Sequence, residues 1–192
     1  MEEYTNIKQE LKQMLKEKRY IHTLSTQKEA IKLANNYNID PEKASLAALL
    51  HDCAKNFSDE KMFKILKQYS IPIDDIEKIN TATLHGKVGK IIAKTKFNIN
   101  DKEILSAIEY HTTGKANMSL LEKIIFLADV IEETRTYDGV DEIRKIAYKN
   151  LNDAIIISLE RTISFVISKN QLLHPDTINA RNYLILEKIN NE

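Results

Sequence analysis

A chain of 192 residues, 43% apolar and 29% charged, has room for one domain with a sizeable core and too little polar bias for disorder. Lysine plus arginine equals aspartate plus glutamate at 28 each, so no global field draws in nucleic acid or an anionic membrane. An anionic substrate therefore needs a local cluster of cations, and the single cysteine, Cys53, excludes both an intramolecular disulfide and a thiolate zinc site.

Four glycines and three prolines punctuate the chain sparsely, which favours helices over many short strands. In chain order, helices are expected over residues 7–18 and 20–37. Asp40-Pro41 reads as an N-cap followed by proline at the first helical position, opening a helix over 41–56. Ser58 caps a helix running to Tyr69, closed by Ile71-Pro72-Ile73. A further helix is expected over 83–97. Asn100-x-x-Glu103 and Ser119-x-x-Glu122 resemble capping boxes in front of apolar-periodic stretches. Gly114 falls where a left-handed residue ends a helix. Helices over 141–149, 153–167 and 175–189 complete the series. No alternating strand pattern of useful length occurs, so the fold class is all-α.

The longest apolar runs, Phe126–Ile131 and Ala154–Ile157, fall far short of the roughly 18 residues that span a bilayer. Met1-Glu2-Glu3-Tyr4 has neither the basic nor the apolar region of a signal peptide. No membrane and no nucleic acid are expected as partners, and the expected setting is cytoplasmic. A homodimer is left open. Cys53 reads as a small buried residue.

The chemistry lies in five histidines, His22, His51, His85, His111 and His174, and in particular aspartates. Asp52 follows His51 directly, at the end of the apolar stretch 44–50, where an unpaired carboxylate is costly. Asp129 is a carboxylate set between Ile124–Ala128 and Val130-Ile131. His111 closes a helix and precedes the turn Thr112-Thr113-Gly114. A shared dication would satisfy such imidazoles and carboxylates, and that donor set suits Fe, Mn, Zn, Ni or Co about equally.

These residues resemble a known pattern. His22, His51-Asp52 and Asp129 match the metal-binding pattern of the HD-domain phosphohydrolase superfamily. Arg19-x-x-His22, His51-Asp52-x-Ala54-Lys55, Leu84-His85-Gly86, His111-Thr112-Thr113-Gly114, Ala128-Asp129-x-Ile131-Glu132-x-x-Arg135 and His174-Pro175-x-Thr177-x-x-Ala180-x-Asn182 resemble one branch. That branch is the YqeK-type symmetrical diadenosine tetraphosphatases. Six blocks in the same order span almost the whole chain.

The resemblance implies one HD-type domain over 1–192, a helical bundle with its core at about 19–135 and a C-terminal helical part, 136–192, closing the site. It implies that His22, His51, Asp52 and Asp129 hold a first metal ion. His85 and His111 then either complete a second site bridged by Asp52 or contact phosphate; Asp52, His85 and His111 are the expected catalytic residues. The family is associated with iron, so iron is expected, in one or two ions. Arg19, Lys55, Asn56, His85, His111, Thr112, Arg135 and His174 are the expected substrate contacts, while Lys87, Lys90 and Lys115 read as solvated faces. The implied reaction is symmetrical cleavage of diadenosine tetraphosphate to two ADP. The histidines must be neutral to bind metal, so activity is expected to fall as they protonate in acid. Rival readings are another nucleotide phosphohydrolase of the superfamily, a non-catalytic metal- and nucleotide-binding sensor, and a helical scaffold with incidental histidines.

Overall fold

The computed structural model describes residues 4–191. Among them the chain forms helices α1 (Thr5–Met14), α2 (Glu17–Asn36), α3 (Pro41–Leu50), α4 (Asp59–Gln68), α5 (Asp75–Ile79), α6 (Leu84–Thr95), α7 (Lys102–Tyr110), α8 (Leu120–Ile131), α9 (Val140–Ala147), α10 (Leu151–Ser168) and α11 (Pro175–Asn191). A single 3-10 turn, Thr81–Thr83, precedes α6, and no strand occurs among the described residues. None of the helices is long and apolar enough to cross a membrane.

Local chemistry sets most of the boundaries. The Asp40 carboxylate accepts from the Glu42 and Lys43 N–H groups ahead of α3, with Pro41 at the first position where no N–H is needed. Ser58 caps α4. Ser119 and Glu122 form a reciprocal capping box in front of α8. With so few glycines, helices end on other residues that tolerate a left-handed backbone: Asn38, Ser70, Asn98 and Asn170 have φ between 52° and 56°. Gly114 takes that role after α7, at φ +64°, and its N–H bonds back to the Tyr110 carbonyl at 2.8 Å.

Several boundaries differ from the sequence expectation. The helix expected over 41–56 stops at Leu50, and residues 51–56 continue as turns bonded three residues back, Cys53 to Leu50 and Lys55 to Asp52. The helices expected over 7–18 and 20–37 instead divide at Leu15-Lys16, which are extended. There the Lys16 N–H is taken by the Asn56 side chain at 2.8 Å, a partner 40 residues away. The cap of α7 is Asp101 and not Asn100, whose amide turns to the Asn98 carbonyl. Helix α5, with its own Asp74–Glu77 capping box, was not expected.

The core is the packing of α2 against α3 and α8, and of α7 against α3 and α8. It is filled by fully buried side chains such as Leu33, Leu49, Leu50, Ile108, Ile124 and Leu127. α6 packs on α7, α4 covers α6 over a smaller cluster around Met62, Leu66 and Leu84, and α9 and α10 lie on α8. α11 packs on α10 and brings Ala180 against Gly114. Gly86 makes the α6–α7 contact intimate: a Cβ there would lie 2.3 Å from the Glu109 carbonyl oxygen. Helix α6 can approach α7 so closely only with a hydrogen at that position.

Candidate metal centre

The histidines and aspartates singled out in the sequence come from different elements and meet inside the bundle. His22 lies on α2, His51 at the end of α3, Asp52 in the turn after it, His85 in the first turn of α6, His111 at the end of α7 and Asp129 near the end of α8. His22, His51, Asp52, His85 and His111 are all at most 6% exposed. Each ring is oriented by its Nδ1. The Nδ1–H groups of His51, His85 and His111 donate to the carbonyls of Ala48, Ala82 and Ile108, three residues upstream, at 2.6, 2.8 and 2.7 Å. That of His22 donates to the Glu132 carboxylate at 3.0 Å. With Nδ1 so engaged, the neutral ring turns its Nε2 lone pair inward, as a metal ligand requires.

The four Nε2 atoms converge on the two aspartates. His22 Nε2 is 2.9 Å from Asp129 Oδ1 and 3.4 Å from His51 Nε2. His51 Nε2 is 3.4 Å from Asp52 Oδ2. On the other side, His85 and His111 present Nε2 to Asp52 Oδ1 at 3.1 and 3.5 Å, and to each other at 3.0 Å. The Asp52 carboxylate thus joins two halves of one cluster, one oxygen to each. Donor atoms of His22, His51 and Asp129, and likewise of His51, Asp52 and His111, lie within 4.8 Å of one another. Asp52 Oδ1 is buried and accepts no well-aligned hydrogen bond despite those two close imidazoles. An orphaned carboxylate oxygen facing two nitrogen lone pairs is an arrangement a cation satisfies and an apolar interior does not.

Cations surround this ring. Arg19 pairs with Asp52 Oδ2 at 2.7 Å, and Arg135 grips Asp129 at both its carbonyl, 2.8 Å, and its Oδ1, 2.6 Å. Lys55 Nζ is 3.3 Å from His85 Nε2, and the Thr112 hydroxyl lies 3.2 and 3.0 Å from His85 and His111 Nε2. Burial works against a charged Asp52, yet the neighbouring His51, His111 and His85 hold its carboxyl well below the usual range. Burial is likewise overcome at Asp129 by His22, His51 and Arg135. Burial pushes the His85 imidazole down to about 4, against the pull of Asp52, and pushes the Lys55 ammonium down as well. His85 thus stays neutral, in its ligand form, through mildly acidic conditions.

Arg19, Lys55, Thr112 and Arg135 are therefore in contact with the ring. Asn56 and His174 are not, among the contacts of the described residues. Asn56 holds the Lys16 N–H, and His174 lies 3.7 Å from the buried Glu77 and accepts from the Asp176 N–H. Two lysines expected on solvated faces instead neutralise buried glutamates: Lys87 pairs with Glu77 at 2.7 Å and Lys115 with Glu122 at 3.0 Å. Lys90 pairs with Glu109 at 2.7 Å. Cys53 is fully buried beside the Gly89 carbonyl, as expected. Glu132, fully buried, was assigned no role from the sequence, although it follows Asp129 by three residues at the end of an apolar helix.

The chain matches the HD domain family over residues 19–134. The chain belongs to that family. This HD-domain protein is 44% identical to the symmetrical bis(5'-nucleosyl)-tetraphosphatase of Halalkalibacterium halodurans, over 93% of this chain and 95% of that one. It is 41% identical to the protein of the same name in Bacillus subtilis, over 91% and 94% of the two chains. A solved structure from Clostridium acetobutylicum, described as a predicted HD superfamily hydrolase involved in NAD metabolism, superposes with a TM-score of 0.94 at 48% identity. It covers 96% of this chain and 97% of that one. The HD-domain match and the two donor clusters together make the centre a divalent-metal site of a phosphohydrolase.

Proposed function

We propose that this HD-domain protein hydrolyses dinucleoside tetraphosphates symmetrically, diadenosine tetraphosphate yielding two ADP, and that it does so in the cytoplasm. The observation that carries the reading is the convergence of four imidazole Nε2 atoms on the two oxygens of Asp52 and on Asp129. The names carried by relatives matching nearly end to end support the substrate. His22, His51, Asp52 and Asp129 would hold one ion. His85 and His111 would hold a second with Asp52 between them, and iron is the metal proposed. A dication held by these residues would neutralise oxygens of the attacked phosphate and lower the pKa of bound water toward about 7.

The protein's own residues supply the rest. Arg19, Lys55 and Arg135 offset the charge of the polyphosphate, the guanidiniums through N–H groups not engaged on Asp52 and Asp129. The Thr112 hydroxyl, beside both His85 and His111, is placed to donate to the same group. The departing ADP is a weak base, so no strong general acid is needed. Cations and positioning then carry the reaction.

The test is chromatography of the products formed from diadenosine tetraphosphate by metal-loaded protein. Two ADP per substrate is the expected result. AMP plus ATP, or no turnover beside brisk hydrolysis of nucleoside monophosphates, would replace this reading with another nucleotide hydrolase.

A further inference from the structure

A cavity of 610 Å³ opens beside the metal centre, between the segment after α8 and the side of α10. Its lining includes Val130, Arg135, Tyr137, Ser158, Thr162 and Phe165. A smaller cleft of 160 Å³ lies at the ring itself, lined by Lys18, Arg19, His22, Glu132, Thr134 and Arg135. The two share Arg135, whose guanidinium is fixed on Asp129. Their chemistry differs. The cleft gathers three cations next to the proposed ligands and suits a chain of phosphates. The cavity is walled mainly by the apolar surface of Val130, Tyr137 and Phe165, with Asp138 and Arg161 also on its lining.

The hydroxyls on the α10 side of that cavity are already engaged. Ser158 Oγ donates to the Ala154 carbonyl at 2.7 Å, and Thr162 Oγ1 to the Ser158 carbonyl at 3.0 Å. Phe165 is 59% exposed, an uncovered ring on a helix that is otherwise well packed at its first half. The opposite wall is held in place by Arg161, which donates to the Asp138 carbonyl and lies 5.8 Å from the Tyr137 ring. The volume falls within the roughly 300–1,000 Å³ typical of small-molecule sites.

A ligand matching both spaces has a flat, largely apolar group joined to phosphates. Resting on the functional reading above, we infer that this cavity receives one nucleoside end of the substrate, with the base against Phe165 and Tyr137 and Arg135 marking its junction with the phosphates. Such an anchor would also set which phosphate reaches the metal ring. Binding here would act on substrate and transition state alike, and so on KM more than on kcat.

The test uses the metal-loaded wild type and two variants, Phe165→Ala, which removes an exposed ring, and Thr162→Trp, which fills the cavity. Calorimetric titrations with ADP and with inorganic pyrophosphate are paired with KM and kcat for diadenosine tetraphosphate. The expected result is ADP affinity lowered about tenfold or more in both variants, the size of a lost base–aromatic stack. KM should rise in step, with kcat and pyrophosphate affinity little changed. Circular dichroism checks the fold, and Phe165→Ala decides the matter should the tryptophan variant misfold. Unchanged ADP affinity, an equal loss of pyrophosphate affinity, or no ADP binding by the wild type would overturn the inference. Wild type that binds ADP through this cavity yet does not cleave the tetraphosphate would refute the proposed reaction and leave the cavity standing. Cleavage to two ADP with both variants unaffected would refute the cavity alone.

Discussion

The Glu132 carboxylate is fully buried and engaged on every side. It accepts from His22 Nδ1 at 3.0 Å, and from both the N–H and the hydroxyl of Thr134 at 2.6 Å. The His22 bond fixes the tautomer that leaves Nε2 facing Asp129, and a carboxylate behind an imidazole also strengthens it as a donor. Glu132→Gln keeps the volume but weakens that hold. Metal affinity measured by chelator competition is expected to fall by roughly 10–100-fold; an unchanged affinity would remove Glu132 from the account. Asp52 and Asp129 were legible in the sequence because they end or interrupt an apolar stretch, as Asp129 does between Ala128 and Val130, whereas His22 and His85 stood out only through the family resemblance. Glu132 escaped because its partner lies 110 residues away, and its local surroundings look like any helix end. His174 stands before a helix-opening proline in a block that resembles the family, and its neighbours among the described residues are Glu77 and Asp176.

The helices bring these groups together only where their packing allows it, and Gly86 is the narrowest such point. His85, its neighbour, must reach His111 from α6 across to α7, and the two Nε2 atoms are 3.0 Å apart. A methyl group at position 86 would collide with the Glu109 backbone, which cannot rotate away as a side chain can. Gly86→Ala is expected to lower stability by roughly 1–3 kcal/mol in denaturant titrations and to weaken metal retention at the His85–His111 side. Stability and metal content both equal to wild type would show that α6 and α7 need not meet so closely. The interiors of the helices were readable from apolar spacing and from the caps Asp40, Ser58 and Ser119. Their junctions were less so. The break at Leu15-Lys16 depends on Asn56, and the early end of α3 accompanies the turning of His51 and Asp52 into one centre. No local propensity carries either instruction.

Across the whole molecule, charge is balanced overall and uneven in detail. Two aspartates and four histidines from α2, α3, α6, α7, α8 and the turn after α3 share one interior point, with Arg19, Lys55 and Arg135 around it. The all-α class was legible from sparse glycine and proline and from the recurring caps. The order of packing was not, because it is decided by which helix faces accept one another. A centre assembled from so many elements ties them together when loaded, since a ligand held by the folded state alone stabilises that state.

Elemental analysis of the purified wild type and of Asp52→Asn tests this arrangement most directly, since the Asp52 carboxylate turns one oxygen to each half of the ring. The wild type is expected to carry at least one transition-metal ion per chain, and the variant to lose most of it while remaining helical by circular dichroism. A metal-free wild type, or a variant that keeps its full complement, would contradict the account.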